Sequence, residues 1–210
     1  MENPAAGQAS PIARRWVGER GLRLATGAAT LSVYAALQEN TFAEIEDVIP
    51  ADDSILLVFR RGMAEPDGLD AVLDALPRTP LRGGGAQHTL PVAFDGPDLA
   101  DLAVRAGLHP DDYVQAFLAV EFGVAFLGFQ PGFPYLRGLP TPLQASRRAT
   151  PRRRVPAGSV AVGGAYAGIY PAAGPGGWQL IGRSAAALFD PHRDPPARLQ
   201  PGDRVRFVAA

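Results

Sequence analysis

Three segments in the C-terminal half of the chain gather the side chains best suited to binding chemistry. The first, GFQPGFPYLRGLP (Gly128–Pro140), is aromatic, poor in polar residues and punctuated by glycine, so it cannot be an ordinary solvated loop. Its Phe129, Phe133 and Tyr135 either plug the mouth of a barrel or line a pocket that glycine backbone can approach closely. The second, SRRATPRRRVPAGSV (Ser146–Val160), sets five arginines between Arg147 and Arg154, stiffened by Pro151 and Pro156, and runs into the small-residue turn Ala157-Gly158-Ser159. Such a run is either a solvated basic face or an anion site, because guanidinium forks and backbone N–H groups can converge on one phosphate or carboxylate. The third, GIYPAAGPGGWQLIGRS (Gly168–Ser184), adds Tyr170 and Trp178. Its strand alternation puts Gln179, Ile181 and Arg183 on one face. A partly buried Arg183 on an apolar strand needs an anionic partner, either a ligand or Asp203. The expected anion site is Arg152, Gly158, Ser159 and Arg183. The expected pocket or partner-facing rings are Phe129, Phe133, Tyr135, Tyr170 and Trp178.

Other chemistries are excluded by composition. The 210-residue chain has no cysteine, and all 20 of its basic residues are arginine. Thiol nucleophiles, disulfides, Schiff-base lysines and a Walker lysine are therefore impossible. His88, His109 and His192 lie far apart with no metal-binding spacing, so no protein-ligated metal is expected. Residues 1–120 hold 17 carboxylates against 9 arginines and residues 121–210 hold 4 against 11. That asymmetry suits an anionic small molecule or an acidic partner. The aromatic-interleaved basic surface of a nucleic-acid binder is absent, so nucleic acid is not expected. No apolar run approaches the roughly 18 residues of a membrane span and no signal-peptide pattern opens the chain, which points to a cytoplasmic protein.

The elements that must position these segments have two textures, together an α+β reading. Residues 1–14 are expected to be a disordered tail. Residues 15–84 alternate candidate strands (Leu22–Leu24, Ile45–Ile49, Ile55–Phe59) with helical patterns over Ala28–Gln38 and Glu65–Leu76, and Leu69, Val72, Leu73 and Leu76 form one apolar stripe. Arg82–Gly85 reads as a linker. Residues 85–210 open with a strand at Leu90–Phe94 and two short helices with Pro97 and Pro110 at their first positions, each followed by aspartate. From Phe122 onward short strands and turns dominate, with ten glycines and eight prolines among residues 128–178, which fits a barrel with elaborate loops.

Taken in order, GFQPGFPYLRGLP, ATPRRRVPAGSVAVGG, GIYPAAGPGGWQLIGRS and LFDPHRDPPARLQPGDRVRF closely resemble the 5-oxoprolinase B-subunit family, also called Kip inhibitor or allophanate hydrolase subunit 1. The likeness runs from about Leu90 to Val208 and more loosely through VIPADDSILLVF. It implies a ferredoxin-like N-terminal domain and a cyclophilin-like β-barrel C-terminal domain. It also implies two partners, the 5-oxoprolinase C-subunit (a second barrel protein) and A-subunit, with ATP and magnesium bound in the complex that opens the lactam 5-oxoproline to glutamate. Phe117 stands where relatives are expected to carry histidine. The allophanate name does not fit amidase chemistry, since a Ser-Ser-Lys arrangement needs a lysine. ATP-assisted lactam opening suits arginines and N–H donors, while the base and the magnesium site would come from partners. The Kip name implies an alternative, a regulator that inhibits a sensor histidine kinase. A prolyl isomerase is suggested by the barrel alone.

Overall fold

The structure, a computed structural model, describes residues 12–40, 42–63, 65–77, 79–80 and 84–210. The chain divides into two compact units, Met1–Arg82 and Gly83–Ala210. Among the described residues no helix is long and apolar enough to cross a membrane.

The first unit is built from β1 (Arg14–Val17), β2 (Gly21–Ala25), α1 (Thr30–Glu39), β3 (Ile45–Ala51), β4 (Ser54–Phe59) and α2 (Leu69–Ala75). Its sheet has the order β1-β2-β4-β3 with antiparallel neighbours throughout, so β4 lies between the two strands that α1 connects. Ile55, Leu57 and Phe59 alternate toward the core, where they meet Val33 and Leu37 of α1 and Leu69 and Leu73 of α2. The second helix begins at the first residue of its apolar stripe, later than the expected start at Glu65, because Gly68 at φ +86° closes a turn just before Leu69. Ile12 packs against this core and the Ala13 carbonyl accepts a bond from the Ala25 amide at 2.8 Å. Residues 12–14, expected in a disordered tail, are thus part of the unit, and the rest of that tail lies outside the described residues. Arg82 and Gly83 of the expected linker also lie outside them. Gly85 from the same run is packed so tightly on the Gly202 carbonyl that a Cβ would collide.

The second unit comprises β5 (Gln87–Val92), α3 (Leu99–Arg105), α4 (Pro110–Leu118), β6 (Glu121–Leu127), β7 (Pro134–Arg137), β8 (Arg152–Val155), β9 (Ser159–Gly163), β10 (Tyr166–Ile169), β11 (Gly174–Gly176), β12 (Gln179–Arg183) and β13 (Arg204–Ala209). Seven strands form one sheet in the order β12-β9-β10-β7-β6-β13-β5, while β8 and β11 make a separate ribbon. The large sheet curls until its ends meet: Ala93 and Arg183 exchange backbone bonds of 2.9 and 2.8 Å, and the Gly96 and Asp98 amides donate to the Ile181 and Leu180 carbonyls. Successive residues of β9 and β12 point to opposite sides. Val160, Val162 and Ile181 enter the main core with Tyr113 and Phe117 of α4, whereas Ala161 and Leu180 join a second cluster with Phe133, Tyr170 and Trp178. Pro110 opens α4 as expected, behind a His109 cap. Pro97 does not open α3. The helix starts at Leu99, and the preceding Asp98 makes no cap bond because its carboxylate is engaged elsewhere.

Candidate functional site

On the side of the second cluster lies a cavity of about 300 Å³ lined by Phe129, Phe133, Tyr135, Tyr170 and Trp178, by Arg147, Arg148 and Pro151, and by Gly176 and Gly177. The five rings singled out in the sequence thus converge on one site. Phe133 sits at their centre, just before β7, in edge-to-face contact with Tyr135, Tyr170, Trp178 and Phe129 at centroid distances of 5.3, 5.1, 5.3 and 5.5 Å. The Trp178 ring lies directly on β9. A Cβ at Gly163 would fall within that ring, so only glycine lets strand and indole approach this closely.

The loop is not uniformly exposed, however. Phe133 is 1% exposed and Phe129 is 59% exposed, at φ +67°. Of the rings expected to face a pocket or a partner, Phe133 is a core residue and not a partner-facing one. Burial pushes the Tyr135 hydroxyl above its ordinary range, opposed by the Arg147 guanidinium. Burial raises Tyr170 too, opposed by a backbone hydrogen bond from Trp178 and by Arg152. Both phenols are therefore neutral at physiological pH and available as O–H donors. The lining contains no carboxylate, imidazole or aliphatic hydroxyl. Such a site can bind, orient and exclude water, but it has no group suited to moving a proton near neutral pH.

The arginine run forms an arch over this cavity, and Asp98 holds it in place. Both Asp98 carboxylate oxygens accept from Arg152 Nη2, at 2.7 and 2.8 Å; the same carboxylate accepts a third bond from Arg148 Nη1 at 3.2 Å and a fourth from the Leu180 amide at 2.7 Å. The Arg148 amide donates to the Gly177 carbonyl at 2.7 Å, and Arg152 Nη1 reaches the Trp178 carbonyl at 3.4 Å. A buried carboxylate so fully coordinated is a structural brace.

The expected anion site does not assemble. Arg152 is neutralised by Asp98. Arg183 lies at the other end of β12, and its partner is neither a ligand nor Asp203 but Asp95, in a pair whose side chains are 66% and 44% exposed. Asp203 instead accepts bonds from His88, Ala86 and Gln200. Gly158 and Ser159 lie next to Arg183 across β9 and β12, but their amides donate to the Tyr170 and Pro156 carbonyls. Gly158 is glycine because φ is +79° and a Cβ would strike the Ser184 carbonyl, not because a ligand approaches it. The residues that do face the cavity with charge, Arg147 and Arg148, belong to the quoted run but are not separable from its other arginines by spacing.

The family described as carboxyltransferase domain, subdomain C and D, matches residues 14–199. Curated proteins named as the B-subunit of 5-oxoprolinase match at 43–48% identity. The one from Escherichia coli O157:H7 is 45% identical over 175 residues, 78% of each chain, and the match to the Haemophilus influenzae protein covers 60% of that chain. Among solved structures, TTHA0988 superposes with a TM-score of 0.80 at 36% identity, over 91% of this chain and 40% of its own. The Kluyveromyces lactis urea amidolyase shares the fold alone, with a TM-score of 0.72 at 21% identity over 16% of its length. The chain therefore spans less than half of either structure. With that pattern matched from Arg14 to Leu199 and such identity over three quarters of its length, this chain belongs to the 5-oxoprolinase B-subunit family.

Proposed function

We propose that the chain is a non-autonomous subunit of an ATP-dependent 5-oxoprolinase-type amidohydrolase, which opens 5-oxoproline to glutamate at a site completed by homologues of the C- and A-subunits. Beside the family membership, the observation that carries this reading is the cavity itself: ring faces and guanidinium groups with no proton-transferring side chain, suited to holding a small polar ring while another chain supplies the chemistry. In the same reading the N-terminal unit is ferredoxin-like, with β1 occupying the edge position beside β2, and the curled sheet is cyclophilin-like.

Among the described residues, those expected to hold ATP and magnesium do not fit them. Arg152 and Arg183 are already paired with Asp98 and Asp95, and among the described residues no three His, Asp or Glu side chains are grouped to hold a cation. Nucleotide and metal are assigned to the partner chains.

The test is glutamate release from 5-oxoproline and ATP by the purified chain alone and by the chain reconstituted with its C- and A-subunit homologues. Turnover is expected only in the reconstituted complex. Robust turnover by the chain alone would overturn the shared-site reading, and none in the complex would overturn the assignment of substrate.

A further inference from the structure

We propose that the aromatic cavity is by itself a binding site for a five-membered ring bearing one carboxylate, with Arg147 gripping that carboxylate. The inference rests on the proposed function, whose lactam is of this class, and goes beyond it in assigning the residues and in placing the substrate-binding part of the site, though not its catalytic part, within this chain.

Size is the first argument, since about 300 Å³ is at the small end of ligand cavities. Shape is the second. The buried Phe133, Tyr170 and Trp178 and the half-buried Tyr135 present flat apolar surfaces set edge to face, which match the faces of a small ring. Charge decides the rest. Two guanidinium groups line the cavity, and only one of them is already committed: Arg148 is paired with Asp98 at 3.2 Å, while Arg147 has no carboxylate within ion-pair distance among the described residues. Arg147 and Tyr135 both line this cavity, and the guanidinium acts electrostatically on the neutral hydroxyl. A planar guanidinium fork and a neutral O–H donor lining one cavity are the groups that grip a carboxylate.

The experiment uses the full chain carrying Trp16→Phe, which leaves Trp178 as the sole tryptophan reporter. Titration with 5-oxoproline is expected to change its emission saturably, with a dissociation constant of roughly a millimolar. 2-Pyrrolidone, the same lactam without the carboxylate, is expected to bind at least about tenfold more weakly. Arg147→Gln should abolish that preference, and Arg154→Gln, in the same run but outside the cavity lining, should keep it. A flat titration confirmed by calorimetry, or tighter binding of ATP or of an alanyl-proline dipeptide than of 5-oxoproline, would overturn the proposal. Glutamate release by the reconstituted complex despite a flat titration would locate the failure in this pocket and leave the proposed function standing. Binding without any turnover by the complex would do the reverse.

Discussion

Asp98 and Asp95 are three residues apart, and both pair with arginine, Asp98 with Arg152 of β8 and Asp95 with Arg183 of β12, yet burial gives them different work. Asp98 is 8% exposed at its side chain and takes four bonds from three residues, so removing its charge strands the Arg152 and Arg148 guanidinium groups. Asp98→Asn is expected to lower stability by about 3 kcal/mol, read from the urea midpoint. Asp95→Asn and Arg183→Lys touch a solvent-screened pair, and both are expected to leave the melting temperature and the activity of the complex nearly unchanged. A large fall in activity with the melting temperature unchanged would restore Arg183 to the site, and a large fall in melting temperature would make the pair structural. This contrast was hidden in the sequence. Asp98 reads there as a helix-start residue, and its partner Arg152 lies 54 positions away in a run of look-alikes. The aromatic residues were legible for the opposite reason, because no solvated loop tolerates so many rings and glycines at once.

Elements with a buried face were readable and those without one were not. β4 and α2 announce themselves by periods of two and about 3.6. β1 has four exposed side chains, and its place is set by backbone pairing with β2, which leaves no pattern to find. In β12 strict alternation fails at a bulge between Leu180 and Gly182, so the phase expected for Arg183 is lost. α4 carries a consequence that the sequence does not show. Its Tyr113 hydroxyl donates to the Leu143 carbonyl at 2.9 Å, and burial pushes its pKa up to about 12 from 10.0. Between those values the folded chain keeps the proton and the unfolded chain has lost it. The stabilisation is thus fully present below pH 10 and is lost as pH rises toward 12, by at most about 1.4 kcal/mol per pH unit. Tyr113→Phe is expected to cost about 1 kcal/mol at pH 8 through the lost bond and to show a shallower decline in stability above pH 10. Urea midpoints at a series of alkaline pH values test this, and parallel curves for the two proteins would refute it.

At the scale of the whole molecule, each unit has its own core and its own charge balance. The first holds twelve carboxylates against eight arginines, the second nine against twelve. The first core is built from eleven buried residues of β2, α1, β4, α2 and their borders, and the second unit's main core draws only on residues from Leu90 onward. Every residue lining the aromatic cavity, and Asp98 beneath its arch, also falls in the second unit. Residues 84–210, expressed alone, are therefore expected to unfold in one cooperative transition and to bind 5-oxoproline as the full chain does, within about threefold. That length is ample for one hydrophobic core. Circular dichroism melting and Trp178 fluorescence of the fragment measure both points, and Trp178 is the only tryptophan it contains. A fragment that melts without cooperativity would show that the second core needs the first. A fragment that folds but binds at least about tenfold more weakly would show that the first unit contributes to the site.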